Sequence, residues 1–196
     1  MSATRLSLLA VGVALAVLLV VGLTELHGSS SGSSANHLTL AEMRVRLGGS
    51  PAPLASLHAQ ASEVLSGGLP ALRARLAALR GLPVVINKWA SWCVPCRSEF
   101  GALQLASVAL GRRVAFIGID SNDPSRAEAL SFLHTHPVSY PSYYDPDGQA
   151  GLAITDSGFT PVTVFYDGGG GEFIHQGPYA SAAKLEQDVR RYALAG

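Results

Sequence analysis

Cys93 and Cys96 are the only two cysteines of the 196-residue chain, and Val94 and Pro95 separate them. A Cys-x-x-Cys pair can bind metal, brace a fold or exchange disulfides. A brace between residues three apart closes almost no loop and adds little stability. A zinc site asks for four ligands, and neither a second Cys-x-x-Cys nor a His pair at finger spacing is present. The position of the pair favours exchange. It lies between a β-branched run, Pro83 to Ala90 (PVVINKWA), and a predicted helix, Val94 to Leu110, that stops at Gly111. A helix N-terminus offers free N–H groups and a partial positive charge. A thiolate there ionises more readily than a free thiol. Cys93 is therefore expected to be the exposed attacking sulfur, and Cys96, one turn further in, the shielded resolving sulfur. Pro95 removes an N–H and stiffens that first turn, which bears on the redox potential.

On the predicted helix, Cys96, Glu99, Phe100, Leu103, Ser107 and Leu110 form one inner stripe. Glu99 then lies beside Cys96 on a mostly apolar face. Burial raises a carboxyl pKa, which would suit Glu99 to take and return the Cys96 proton. A helix rotated the other way leaves Glu99 a solvated first-turn carboxylate. Trp92, next to the dithiol, reads as docking surface and Trp89 as core. Lys88 and Arg97 flank the site, either as solvated charges or as helpers of a thiolate. Thr160-Pro161 precedes a later strand. Only about 5–6% of X–Pro bonds in folded proteins are cis, so the dipeptide alone does not assign the isomer.

The elements that must hold these residues follow from periodicity and punctuation. Residues 37–80 look helical: Leu54, Leu57, Ala61 and Leu65 step by three and four, as do Leu69, Leu72, Leu76 and Leu79. Gly67-Gly68 separates the two stretches, and Pro70 fits a first helical turn. Arg73, Arg75 and Arg80 read as a solvated face. Val114 to Ile119 is a second buried strand. Asp123 is expected to cap a helix from Pro124 to about His134. Asp145 to Gly148 is a type I turn signal, followed by a short helix near Ala150 to Ile154. Val162 to Tyr166 and Glu172 to His175 form a hairpin across Gly168 to Gly171. Ser181 caps a last helix through about Leu194, with Leu185 and Val189 inward. Strands alternate with helices up to the closing hairpin, which predicts an α/β sandwich with a mixed sheet.

Lys+Arg and Asp+Glu each number 14, so the net charge is zero, while 48% of residues are hydrophobic. This excludes a disordered tail protein and argues against a basic nucleic-acid binder. Leu6 to Leu23 is uncharged. As a helix it spans about 27 Å, near the ~30 Å of a bilayer core. Arg5 precedes it and no Lys or Arg follows before Arg44, which places the body outside the cytoplasm. A cleaved signal usually has a shorter apolar region and a small-x-small site. Leu23 to Leu26 offers none, and Ser33 to Ala35 lies far downstream, so an uncleaved single-pass anchor is favoured over a secreted product. Residues 1–27 are read as anchor or signal, 28–36 (GSSSGSSAN) as a Gly/Ser linker, 37–80 as a helical extension packed on the body, and 81–196 as the main domain. Disulfides persist in such an extracytoplasmic setting.

NKWASWCVPCRSEF (Asn87 to Phe100) and FTPVTVFYDGGG (Phe159 to Gly170) resemble the TlpA/ResA/DsbE-like family of extracytoplasmic thioredoxin-fold proteins. The resemblance covers roughly residues 81–194. It implies a thioredoxin-like fold, a central mixed sheet flanked by helices. It makes Cys93 the nucleophile, Cys96 the resolving thiol and Glu99 the family's acidic residue. Pro161 becomes a cis-proline facing the dithiol, with the Thr160 backbone free to pair with a substrate strand, and Trp92 and Pro95 complete the substrate-binding positions. Asn87 stands where cytoplasmic thioredoxins keep a buried Asp, and Phe116 about where they keep its Lys partner, so proton work passes to Glu99. Residues 121–158 would hold the family's inserted helix and strand. Two departures stand out: the family usually opens with a β-hairpin rather than helices, and Val94 is unusual inside the motif.

The implied function is a membrane-tethered thiol–disulfide oxidoreductase acting on protein clients, apocytochrome c among them, as a reductant without a cofactor. A membrane electron donor of the CcdA/DsbD type would restore it. An oxidant of secreted proteins is the runner-up. A peroxiredoxin reading asks for Pro-x-x-x-Thr-x-x-Cys, where this chain has Ile86 and Ala90. A copper or haem-iron chaperone of the Sco type asks for wider Cys spacing and a nearby His. His134, His136 and His175 read more simply as surface or strand residues.

Overall fold

The computed structural model describes residues 37–195. The expected anchor, residues 1–27, and the linker, 28–36, lie outside the described residues. Six strands make one sheet: β1 (Val64–Leu65), β2 (Val84–Trp89), β3 (Ala115–Ser121), β4 (Ser142–Asp145), β5 (Val162–Tyr166) and β6 (Glu172–Gln176), in the order β1-β4-β3-β2-β5-β6. β1, β4, β3 and β2 run parallel, whereas β5 is antiparallel to β2 and β6 to β5. The expected mixed sheet is present. β2 and β3 are buried along their whole length, which is why they read as near-continuous apolar runs.

Helices cover both faces. α4 (Val94–Leu110), α5 (Arg126–Thr135) and α7 (Ala182–Asp188, continued by a π-helical turn, Val189–Ala193) enclose one core with Trp89, Phe100, Leu103, Phe116, Phe132 and Phe165. α2 (Ala52–Ala59), α3 (Gly68–Ala78) and α6 (Gln149–Thr155) enclose the other, against Ile86, Ile117, Ile119 and Val164. α1 (Leu40–Arg46) adds a smaller cluster in which Met43 and Leu47 meet Val108 of α4.

Two expectations need correction. Residues 37–80 are not all helix: α2 stops at Ala59, Ser62 takes a left-handed φ of 59°, and Val64–Leu65 pair with Ser142 and Tyr143 of β4. The three-four stepping ran through this break because Leu54, Leu57 and Ala61 are buried and Leu65 is partly buried against the core. β4 itself (SYYD) lacks the β-branched run that marks a buried strand. The cap of α5 is Ser125, whose hydroxyl accepts from the Glu128 N–H, and Asp123 serves elsewhere. The last helix begins as expected at Ser181.

Gly118 of β3 lies where Trp89 Nε1–H donates to Ser142 Oγ at 3.0 Å. A Cβ there would strike Ser142 Oγ and come within 3.0 Å of Trp89 Nε1. Gly118→Ala is therefore expected to cost about 1–3 kcal/mol, as overpacking does. A lowered urea midpoint with unchanged slope checks it.

Candidate active site

β2 delivers the chain to one edge of the sheet, and Ala90–Trp92 turn it into α4. Cys93 is the N-cap of α4, in extended conformation, and its Sγ accepts the Cys96 N–H at 3.2 Å. Pro95 sits in the first turn. Cys93 and Cys96 are joined by a disulfide with Cα atoms 5.3 Å apart. Cys93 is only 3% exposed, so the expected open sulfur is covered in this oxidised state. Bonding to Cys96 draws it toward the helix, and the Thr160 carbonyl oxygen lies 3.8 Å from Sγ. The Thr160–Pro161 bond is cis, and Pro161 is buried immediately before β5. What stands open is the rim: Trp92 is 56% exposed, Val94 74% and Phe159 73%.

Glu99 is fully buried on the inner face of α4, three residues beyond Cys96, so the solvated alternative fails. Its Oε1 accepts from Asn87 Nδ2 at 2.8 Å and its Oε2 from the Tyr179 N–H at 3.0 Å. Asn87 Nδ2 also reaches Thr163 Oγ1 at 3.3 Å, which ties β2 to β5 behind the dithiol. Burial pushes the Glu99 carboxyl up to about 7, against the two donors, which pull it down. A carboxyl poised there exchanges protons readily at neutral pH.

The flanking residues divide. Trp89 is core, as expected, and Trp92 Nε1–H donates to the Asn122 carbonyl at 3.0 Å while its ring stays open. Arg97 is exposed, donating to the Ser91 carbonyl at 3.3 Å with its guanidinium 5.2 Å from the Phe132 ring centre. Lys88 is not solvated. It is buried on the opposite face of the sheet from Asn87, and Nζ donates to the Ser157 carbonyl at 2.6 Å. Burial lowers its pKa, with Asp145 acting the other way. Phe116 is buried, stacked on Tyr140. His134 is exposed, His136 stacks on Phe132 and His175 on Tyr179. Among the described residues no three His, Cys, Asp or Glu side chains group as metal ligands. One site residue escaped the sequence reading: Asp123 accepts the Ser91 N–H at 2.6 Å and the Ser91 hydroxyl at 2.7 Å. Nothing local distinguishes it from a helix cap.

Residues 55–156, which are 102 of the 196, match the AhpC/TSA family. The chain belongs to the AhpC/TSA family. Among curated members it is similar to the thiol:disulfide interchange protein DsbE of Tatumella citrea, 34% identical over 100 residues, covering 50% of this chain and 51% of the relative. DsbE of Escherichia coli K12 is 39% identical over 92 residues, 46% of this chain and 47% of the relative. The chain thus spans about half the length of the curated relatives it matches. A secreted Mycobacterium tuberculosis disulfide oxidoreductase homologous to E. coli DsbE superposes with a TM-score of 0.53 at 26% identity, over 59% of this chain and 85% of that one. A secreted thiol-disulfide isomerase from Corynebacterium glutamicum gives 0.52 at 27%, over 61% and 72%. The fold is thioredoxin-like, as the resemblance implied. Among the described residues no helix is long and apolar enough to cross a membrane.

The fold binds the Glu99 proton more tightly than the unfolded chain does. This contribution to stability is full below the ordinary carboxyl value of 4.5 and is lost as pH rises through about 7. Relative to Glu99→Gln, the wild type should lose up to about 1.4 kcal/mol per pH unit within that window and level off above it. Denaturant titrations from pH 4 to 8 check this.

Proposed function

We propose that this protein is a thiol–disulfide oxidoreductase that reduces protein disulfides outside the cytoplasm, held at the membrane by residues 1–27. The observation that carries the reading is a vicinal cysteine pair at the N-terminus of α4 backed by a buried carboxyl poised near neutrality. In the reduced protein, Cys93 is favoured as thiolate by the helix N-terminus and by the Cys96 N–H directed at its sulfur. The thiolate attacks a client disulfide, forming a Cys93–client bond and expelling one client thiolate, which takes a proton. Glu99, as carboxylate, accepts the Cys96 proton. Cys96 then attacks the Cys93 sulfur, releasing the second client thiol and closing the Cys93–Cys96 disulfide. Two electrons pass to the client disulfide, and a membrane dithiol donor of the CcdA/DsbD type restores the pair.

Trp92, Val94 and Phe159 surround the dithiol as an apolar rim, Pro95 and Thr160 complete the proposed contact surface, and buried Pro161 backs it. Such a rim suits extended, unfolded clients with apolar residues beside the cysteine, apocytochrome c among them. The peroxidase alternative gains nothing from the structure, because Ile86 and Ala90 are buried aliphatic residues without a hydroxyl.

Cys93→Ser should abolish exchange, while Cys96→Ser should accumulate a trapped Cys93–client disulfide. Retained turnover in Cys93→Ser overturns the reading. A reductant should show a potential nearer about −270 mV than about −120 mV, the value of a strong oxidant. Phe159→Ser is expected to raise KM for an unfolded protein client several-fold and leave the rate on a small aromatic disulfide unchanged.

A further inference from the structure

The end of β3 holds two carboxyl groups that the exchange chemistry leaves unused. Asp120 is fully buried, and neither of its carboxyl oxygens receives a hydrogen bond from any N–H or hydroxyl donor. Asp123, also buried, receives two, both from Ser91. After burial, Asp123 is the neighbour that most disfavours a charge on Asp120. A buried carboxylate without a donor is costly, and Asp120 has none, so the proton belongs on Asp120.

Among the described residues, the surroundings supply no cation to offset a second charge. From β2, Lys88 faces away and is spent on the Ser157 carbonyl. From α5, the Arg126 guanidinium is turned to the Val64 carbonyl. From α4, Arg97 is engaged with the Ser91 carbonyl and the Phe132 ring. His136, following α5, is stacked on Phe132, and its pKa is lowered by burial. From β4, Asp145 adds negative charge, and Tyr144, paired with Asp120 in register, offers only a neutral phenol. Burial, the contact with Asp123 and these charges push Asp120 up to about 9.

We propose that Asp120 and Asp123 form a carboxyl–carboxylate pair sharing one proton, a latch that fastens Ser91 and Trp92 to the end of β3 and so sets the approach to Cys93. Asp123 is then a positioning residue, because it grips the backbone N–H and the hydroxyl of Ser91, two residues before the attacking sulfur. The neighbouring bond from Trp92 Nε1 to the Asn122 carbonyl fastens the same two segments. Losing the shared proton places two like charges in contact in a water-poor site, where repulsion is strong. The latch opens, and Ser91 and Trp92 are released. The latch stands without any catalytic role, whereas its effect on the dithiol rests on the exchange activity proposed above.

The experiment is a carboxyl-carbon and amide NMR titration of the full chain in its disulfide form, from pH 4 to 10.5, without client. Asp120 should titrate near 9, and the Ser91 amide and Trp92 indole signals should move with the same midpoint. Asp120→Asn keeps an N–H for Asp123 and removes the proton. In that variant the alkaline step of both signals should vanish. The wild-type folding constant should fall about tenfold per pH unit relative to this variant between pH 4 and 9, one proton's worth. Titration of Asp120 near the ordinary 3.8, or an alkaline Ser91 step that survives in Asp120→Asn, overturns the proposal. The wild-type titration decides it even if the variant fails to fold. Exchange lost in Cys93→Ser but insensitive to the Ser91 step would keep the activity and remove the latch's effect on it.

Discussion

A carboxyl group and a pair of sulfurs share one dry face of one helix, and the rest of the site answers to that constraint. Water removed from around Glu99 makes its negative charge expensive, and the hydrogen bonds from Asn87 and Tyr179 return part of that cost. The balance leaves the group near neutrality, neither a fixed charge nor a permanent acid. Cys96 precedes it by three residues on the same buried face, which is why Glu99 is proposed as the acceptor of the proton this thiol loses.

The sheet exists, for this purpose, to bring distant segments to one edge. β2 and β3 run parallel, so Trp89, the last residue of β2, lies beside Asp120, next to last in β3. β5 runs the other way, so its first residues meet the same edge and deliver the Thr160 carbonyl to Cys93. Asn87 crosses from β2 to Thr163 of β5 and to Glu99 of α4, so a single amide ties two strands and the helix together. Three of the large apolar groups left uncovered lie around the dithiol, while Val45, Leu130 and Leu152 are exposed on other helices. Trp92 and Val94 come from the start of α4, and Phe159 from the loop before β5. A surface of that kind is the basis for proposing extended, unfolded clients.

The parts of this arrangement carried by local period and punctuation were legible in the sequence. The 3.6-residue stripe from Cys96 to Leu110 placed Glu99 inward, and Gly111 ended the helix where it should. β2, β3 and the β5–β6 hairpin announced themselves through branched side chains and a glycine run. What stayed hidden depends on partners far along the chain. The cover over Cys93 comes from Thr160, 67 residues away. Lys88 looked like a surface charge because nothing local reveals that Gly151 of α6 leaves room for its stem and that Ser157 waits at its end. Asp123 and Ser125 are both good N-caps, and only the tertiary contact with Ser91 decides between them. β1, two residues long, is a strand solely because β4 offers an edge to pair with.

The most direct measurement separates the two halves of one turnover. Mixed disulfide between Cys93 and a labelled client can be formed in rapid mixing and its decay followed in the wild type and in Glu99→Gln. If Glu99 takes the Cys96 proton, formation should proceed at the same rate in both proteins. Decay should then be slower in the variant by about a hundredfold or more near pH 7, the scale of a lost general base. Equal decay in the two proteins, with formation intact, would contradict the account.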